Sequence, residues 1–148
     1  MTERNGLPIS IQLRTEIYQN EQMDEHFFDV LGQFVQVGDN LYIRYQEPIN
    51  SEEPTAEPIN VTIKIEPDGT VHLIRADYQR MRLRFAYQQE FEANYHTPYG
   101  IIPIRTVTNN LRVTLKDKPV SGNVEIDYEL HAGQDKLGVY HLRLQFTA

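Results

Sequence analysis

Cysteine is absent from this chain, and with it go disulfide staples, thiolate zinc or iron–sulfur sites and any Cys nucleophile. Tryptophan is absent as well. Basic residues are scarce: 14 Lys and Arg stand against 21 Asp and Glu, a net charge of −7 with a pI near 5.2. That sign opposes a phosphate backbone, so generic nucleic-acid binding is excluded. Nowhere do about 18 apolar residues run uninterrupted, which predicts no membrane insertion. The opening residues, Met1 to Gly6, carry no basic region, apolar run or small-residue cleavage site, so the expected location is the cytoplasm. Helical periodicity is missing too. The best helical candidate, Glu21 to Phe28, is at most a couple of turns.

What remains is alternation with period two. Ile9, Ile11, Leu13 and Ile17 fall on one face and Ser10, Gln12, Arg14 and Glu16 on the other, the pattern of a half-buried strand. Further segments of this kind span 27–37, 41–47, 59–66, 70–76, 80–87, 91–96, 101–107, 110–116, 123–131 and 137–146. Turn-formers separate them: Gly38-Asp39-Asn40, Pro67-Asp68-Gly69, Thr97-Pro98-Tyr99-Gly100, Asp117-Lys118-Pro119 and Gly133-Gln134-Asp135. A flat sheet this wide would expose an apolar face and two edges, so the strands must close on themselves or stack as two sheets, and a barrel is favoured over a sandwich. The expectation is one all-β domain over residues 1–148, with a flexible N-terminus at 1–7. An antiparallel meander closes into a barrel of roughly eight to ten strands with little helix.

Motifs of chemistry are few. No H-x-H or H-E-x-x-H spacing, nucleophile elbow, phosphate loop or dinucleotide fingerprint occurs, so no metal, cofactor or catalytic residue is assigned. Asn60-Val61-Thr62 reads as a plain strand entry. Arg80, Arg82 and Arg84 alternate with Met81, Leu83 and Phe85, and Glu125, Asp127 and Glu129 alternate with Ile126 and Tyr128. Both stripes are expected to be solvated outer faces, with a phosphate-binding surface as the alternative for the arginines. Residues 1–70 hold 13 acids and 4 bases, and residues 71–148 hold 8 acids and 10 bases, an asymmetry that suits internal electrostatic complementarity.

The informative anomaly is charge that continues an apolar face. Leu41, Ile43 and Tyr45 lead to Glu47, and Val71 and Leu73 lead to Arg75. In a meander the third, fifth and seventh strands run the same way, so Glu47, Arg75, Tyr95 and Thr97 share one rim beneath the acidic 48–58 loop. Two readings follow. Glu47 and Arg75 neutralise each other as a structural pair, or Arg75 anchors an anionic head group with Tyr45 and Tyr95 as orienting donors. Large inward side chains, Tyr128, Tyr140, Phe85 and Phe146 among them, either line a lumen or fill it.

The blocks Tyr42-Ile43-Arg44-Tyr45-Gln46-Glu47, Leu73-Ile74-Arg75 with Met81 to Phe85, Asn94-Tyr95-His96-Thr97-Pro98-Tyr99-Gly100 with Thr106, and Gly122 to Tyr128 resemble, in order and spacing, the YwiB family. The resemblance covers most of the chain. It implies a calycin-type, lipocalin-like β-barrel from a Gram-positive bacterium, in a family without an established activity. Where that family tends to have Gly two residues after the Arg, this chain has Asp77.

The leading functional expectation is a non-enzymatic barrel binding a small amphipathic or apolar ligand in or at its mouth, with Tyr45, Glu47, Arg75, Tyr95, Thr97 and Tyr128 as candidate contacts. The alternative is a filled barrel acting as a protein-interaction module, and an enzyme comes third. A lumen above about 300 Å³ separates the first from the second. Oligomeric state is left open.

Overall fold

The computed structural model describes residues 6–47, 58–76 and 81–148, apart from the side chain of Thr97. Ten strands follow one another: β1 Leu7–Gln19, β2 Gln22–Val37, β3 Asn40–Gln46, β4 Asn60–Ile65, β5 Val71–Ala76, β6 Met81–Phe85, β7 Glu90–Thr97, β8 Gly100–Asp117, β9 Val120–Ala132 and β10 Asp135–Thr147. Among the described residues there is no helix. All ten strands join one antiparallel sheet in the order β6-β5-β4-β3-β2-β1-β10-β9-β8-β7. Every neighbour is also a neighbour in sequence except β1 and β10, where the two ends of the chain pair over Ser10↔Thr147 to Tyr18↔Val139. The result is a nearly closed up-and-down barrel with its seam between β6 and β7.

Two expectations change. Glu21 to Phe28 is not helical: β1 and β2 form one long hairpin around Asn20 and Glu21, whose φ values of 49° and 62° make a two-residue turn with both central residues left-handed. Such turns match strand twist, and Asn favours them, but Glu does not advertise one. The segments 101–107 and 110–116 are one strand, β8, interrupted by a bulge between Thr108 and Asn110. The extra residue switches the inward parity from Ile104, Thr106 and Thr108 to Leu111 and Val113, which is why period-two reading splits the strand. Of the stretch 1–7, Leu7 pairs with Phe34, and residues 1–5 lie outside the described residues.

The inward face is the apolar alternation. Ile9, Ile11, Ile43, Ile63, Val71, Phe85, Val124, Leu144 and Phe146 are fully buried and fill one half of the barrel, with the Phe34 and Phe146 rings stacked at 5.5 Å. At Gly32, where β2 begins to pair with β3 as well as β1, a Cβ would sit 2.5 Å from the Arg44 carbonyl and 2.6 Å from Ile11 Cδ1. Only glycine lets the two strands approach there.

No ladder pair among the described residues joins β6 to β7. The buried Thr106 hydroxyl takes its place, donating to Arg84 O at 3.1 Å on β6 with Phe91 O of β7 at 3.3 Å. Outside the seam, the Arg84 guanidinium lies 4.5 Å from the centre of the Phe91 ring, a cation–π contact.

The outward stripes differ in character. Arg82 and Arg84 are exposed as expected, while Arg80 lies outside the described residues. The acidic stripe is not simply solvated. Asp127 accepts from Arg143 Nη1 at 2.9 Å and pairs with His141 Nδ1 at 2.6 Å, and Glu129 accepts from Asn109 at 2.9 Å and from Lys136 at 3.3 Å. Amides on β8 and bases on β10 thus cover Asp127 and Glu129 of β9. These pairs lie within residues 71–148, so the charge asymmetry is not mirrored here; among the described residues Glu47–Arg75 and Glu66–His72 join the two halves.

Candidate functional site

Alternation brings apolar side chains inward along the whole barrel, but they do not fill it. Beyond Leu13, Tyr45, Leu83 and Tyr128 the interior opens into a cavity of about 590 Å³ at the end where the odd-numbered strands finish and the even-numbered ones start. This is the rim at which the meander places Glu47 and Arg75. The walls are mainly apolar: Leu13 and Ile17 from β1, Phe28 from β2, Leu73 from β5, Met81 and Leu83 from β6, Ile104 from β8, Leu130 from β9, and Leu137 and Leu142 from β10.

Polar groups converge on one side. Arg75 Nε donates to Glu47 Oε1 at 3.1 Å and Nη2 to Glu47 Oε2 at 2.8 Å, a two-point fork across the rim. Glu47 is held there because its N–H donates to Ile59 O at 2.9 Å, closing the mouth of the β3–β4 connection. Tyr45 and Tyr128 are buried behind this pair. Burial pushes both phenols far above their usual range; Glu47 adds to the rise at Tyr45 and Tyr140 to that at Tyr128, while Arg75 lowers both. Their hydroxyls therefore feel one another and the ion pair, and stay protonated at any physiological pH. Tyr128 stacks on Tyr140 at 5.0 Å with planes 5° apart and packs against Phe85 at 4.5 Å, which fixes the ring. Gln19 Nε2 donates to the Tyr140 hydroxyl at 3.1 Å.

Of the residues proposed from sequence, Tyr45, Glu47, Arg75, Tyr95 and Tyr128 all line this cavity. The side chain of Thr97 lies outside the described residues, as do residues 48–57, expected from sequence to overlie this rim, and Asp77. Three further lining residues, Tyr140, His26 and Leu137, were not among the candidate contacts, although Tyr140 was already read as an inward side chain. Tyr140 has the inward parity of Leu142, Leu144 and Phe146, so its place was readable. His26 was hidden by the helical reading of Glu21 to Phe28. Leu137 sits at a bulge between Lys136 and Gly138, where parity fails.

Comparison with known proteins bears on this architecture. A family model described as a domain of unknown function, DUF1934, matches residues 11–144. The chain belongs to that family. It is similar to the uncharacterized beta-barrel protein YwiB of Bacillus subtilis (strain 168), with 19% identity over 139 residues that cover 94% of this chain and 92% of the relative. The crystal structure of the ywiB protein from Bacillus subtilis superposes with a TM-score of 0.79 at 18% identity, covering 99% of this chain and 94% of that one. The YwiB-family resemblance and the antiparallel barrel therefore both hold, and the likeness at this identity speaks for the fold alone. Among the described residues no group of three or more His, Asp or Glu is placed to hold a metal ion, and no helix is long and apolar enough to cross a membrane.

Proposed function

We propose that this protein is a non-enzymatic β-barrel that binds a small amphipathic or apolar molecule in the cavity at its open rim. The observation that carries the reading is the cavity itself: about 590 Å³ lies within the range of small-molecule sites, and apolar walls with a few converging polar groups are their usual composition. A calycin-type ancestry is in keeping with it, although fold by itself fixes no function. The same reading places the protein in the cytoplasm, which cell fractionation tests. Native mass spectrometry of gently purified protein is the direct experiment. A co-purifying mass of a few hundred daltons that is lost on denaturation is expected; a bare chain that also takes up no apolar probe would sink the reading. The spectrum reports the oligomeric state as well.

A second reading, a protein-interaction module, has one observation on its side. β2 pairs with β3 only from Gly32 onward, and Met23, Phe27 and Leu31 stand exposed on the outward face of its earlier half. A stable partner in the same native spectra would favour it.

A further inference from the structure

The chemistry of the ligand can be read from the polar side of the cavity. We propose that the cavity selects uncharged ligands bearing a hydrogen-bond acceptor, a ketone, ester or amide carbonyl on an apolar body, and discriminates against carboxylate amphiphiles. The inference rests on the ligand-barrel reading and adds a charge rule to it.

The first ground is that, among the described residues, the one arginine or lysine lining the lumen is already answered. Arg75 gives two parallel hydrogen bonds to Glu47, the fork that a fatty-acid carboxylate would need. The pair is neutral as a unit. An incoming carboxylate must either displace Glu47 or lie beside it with its charge desolvated, and both are unfavourable. An incoming ammonium meets Arg75 with the same difficulty.

The second ground is a surplus of donors on the cavity wall. Tyr45 is 6% exposed and Tyr128 5%, both line the cavity, and among the described residues neither hydroxyl has a hydrogen-bond partner. A hydroxyl that opens onto a mainly apolar cavity with no protein acceptor beside it is poorly satisfied, so these two positions are poised for something that enters the cavity. Both phenols are held in the protonated form by burial, so each presents an O–H. The rings are pre-set by packing, Tyr128 between Tyr140 and Phe85 and Tyr45 against Phe28 at 6.1 Å, so little ordering is required on binding. Tyr140, which accepts from Gln19, retains its own hydrogen and adds a further donor. Two or three fixed donors around a neutral ion pair suit a carbonyl oxygen.

The test uses 6-propionyl-2-dimethylaminonaphthalene, a neutral aryl ketone whose emission reports both polarity and hydrogen bonding at its carbonyl, with 2-undecanone and undecanoate as competitors on the full chain. The ketone probe should bind with blue-shifted emission, and 2-undecanone should displace it at least about tenfold more effectively than undecanoate. Tyr45→Phe and Tyr128→Phe should each weaken the probe about 3- to 10-fold, the loss expected for one hydrogen bond, and shift its bound emission further to the blue. That shift reports the carbonyl contact and would not follow from a structural role. Glu47→Gln, which removes the carboxylate that the Arg75 fork grips, should raise undecanoate affinity about tenfold or more and leave 2-undecanone little changed. Undecanoate competing as well as the ketone on the unaltered protein overturns the charge rule while the ligand-barrel reading stands, and so does unchanged probe binding in the Tyr45→Phe, Tyr128→Phe double variant. If neither the probe nor either competitor binds, both readings fall together.

Discussion

Replacing Glu47 by Gln and Arg75 by Met, singly and together, measures the pair on which the rim is built. The two side chains are 26% and 33% exposed, so the pair sits between the exposed case, worth about 0.2–1 kcal/mol, and the buried case, in which removing one partner costs about 3–5 kcal/mol. Fork geometry at 3.1 and 2.8 Å favours the upper part of that interval. Each single change should therefore cost about 1.5–3 kcal/mol, because the survivor stays partly desolvated with the two-point fork broken. The double change should cost clearly less than the sum of the two, with a coupling of about 1–2 kcal/mol. Urea unfolding followed by far-ultraviolet circular dichroism gives all four corners of the cycle, and in a domain of this size the singles should lower Tm by about 4–10 °C. Additive behaviour, with coupling inside about 0.3 kcal/mol, would refute the idea that the rim depends on this ion pair.

Thr106→Val keeps the shape of the side chain but removes the hydroxyl that bridges β6 and β7, and should cost about 1–2 kcal/mol in urea unfolding; a neutral result would mean the seam closes without it. Changing Arg80, Arg82 and Arg84 together to Gln should cost less than about 1 kcal/mol, since Arg82 and Arg84 are exposed on the outer wall, and a large drop in the unfolding midpoint would contradict that placement. His72 is buried between Glu66, 2.5 Å from its Nε2, and Arg82, which donates to its Nδ1 at 3.3 Å. Burial lowers its pKa, the Glu66 hydrogen bond works against this, and Arg82 adds to the lowering. A folded pKa below the ordinary 6.5 means that the unfolded chain takes up the proton first. Stability should accordingly decline as pH falls below about 6.5 and level off beneath the folded pKa, and His72→Asn should flatten that part of the profile. A further decline belongs to lower pH. Burial raises the Asp127 carboxyl, but hydrogen bonds from Arg143 and His141 outweigh it and hold the group below its ordinary value, so its contribution is lost as pH falls through the acid range.

Much of this molecule was legible before any coordinates. Strict alternation from Ile9 to Leu13, Ile43 to Tyr45, Val61 to Ile65 and Val124 to Tyr128 names both the strands and their buried faces, because side-chain direction in a strand has a period of two whatever the strand pairs with. Meander topology then carries Glu47 and Arg75 to one rim. Reading faltered where parity is broken or a turn is unadvertised: at the β8 bulge around Asn109, at Leu137, and at the Asn20–Glu21 hairpin that conceals His26 inside a strand.

Other features came into being only with the closed barrel. That β1 pairs with β10 depends on two segments some 130 residues apart in sequence meeting in one register, Ile11 against Phe146 and Leu13 against Leu144, which no local pattern encodes. Thr106 becomes a clasp only because β6 and β7 approach without pairing. Whether large inward side chains plug a lumen or line one is settled by how far apart the walls stand. Phe85, Phe146 and their neighbours meet across one half, while Tyr45, Tyr95, Tyr128 and Tyr140 surround open space in the other. Alternation specifies the direction of each side chain one residue at a time, but an enclosed volume belongs to all ten strands at once, and only tertiary packing determines it.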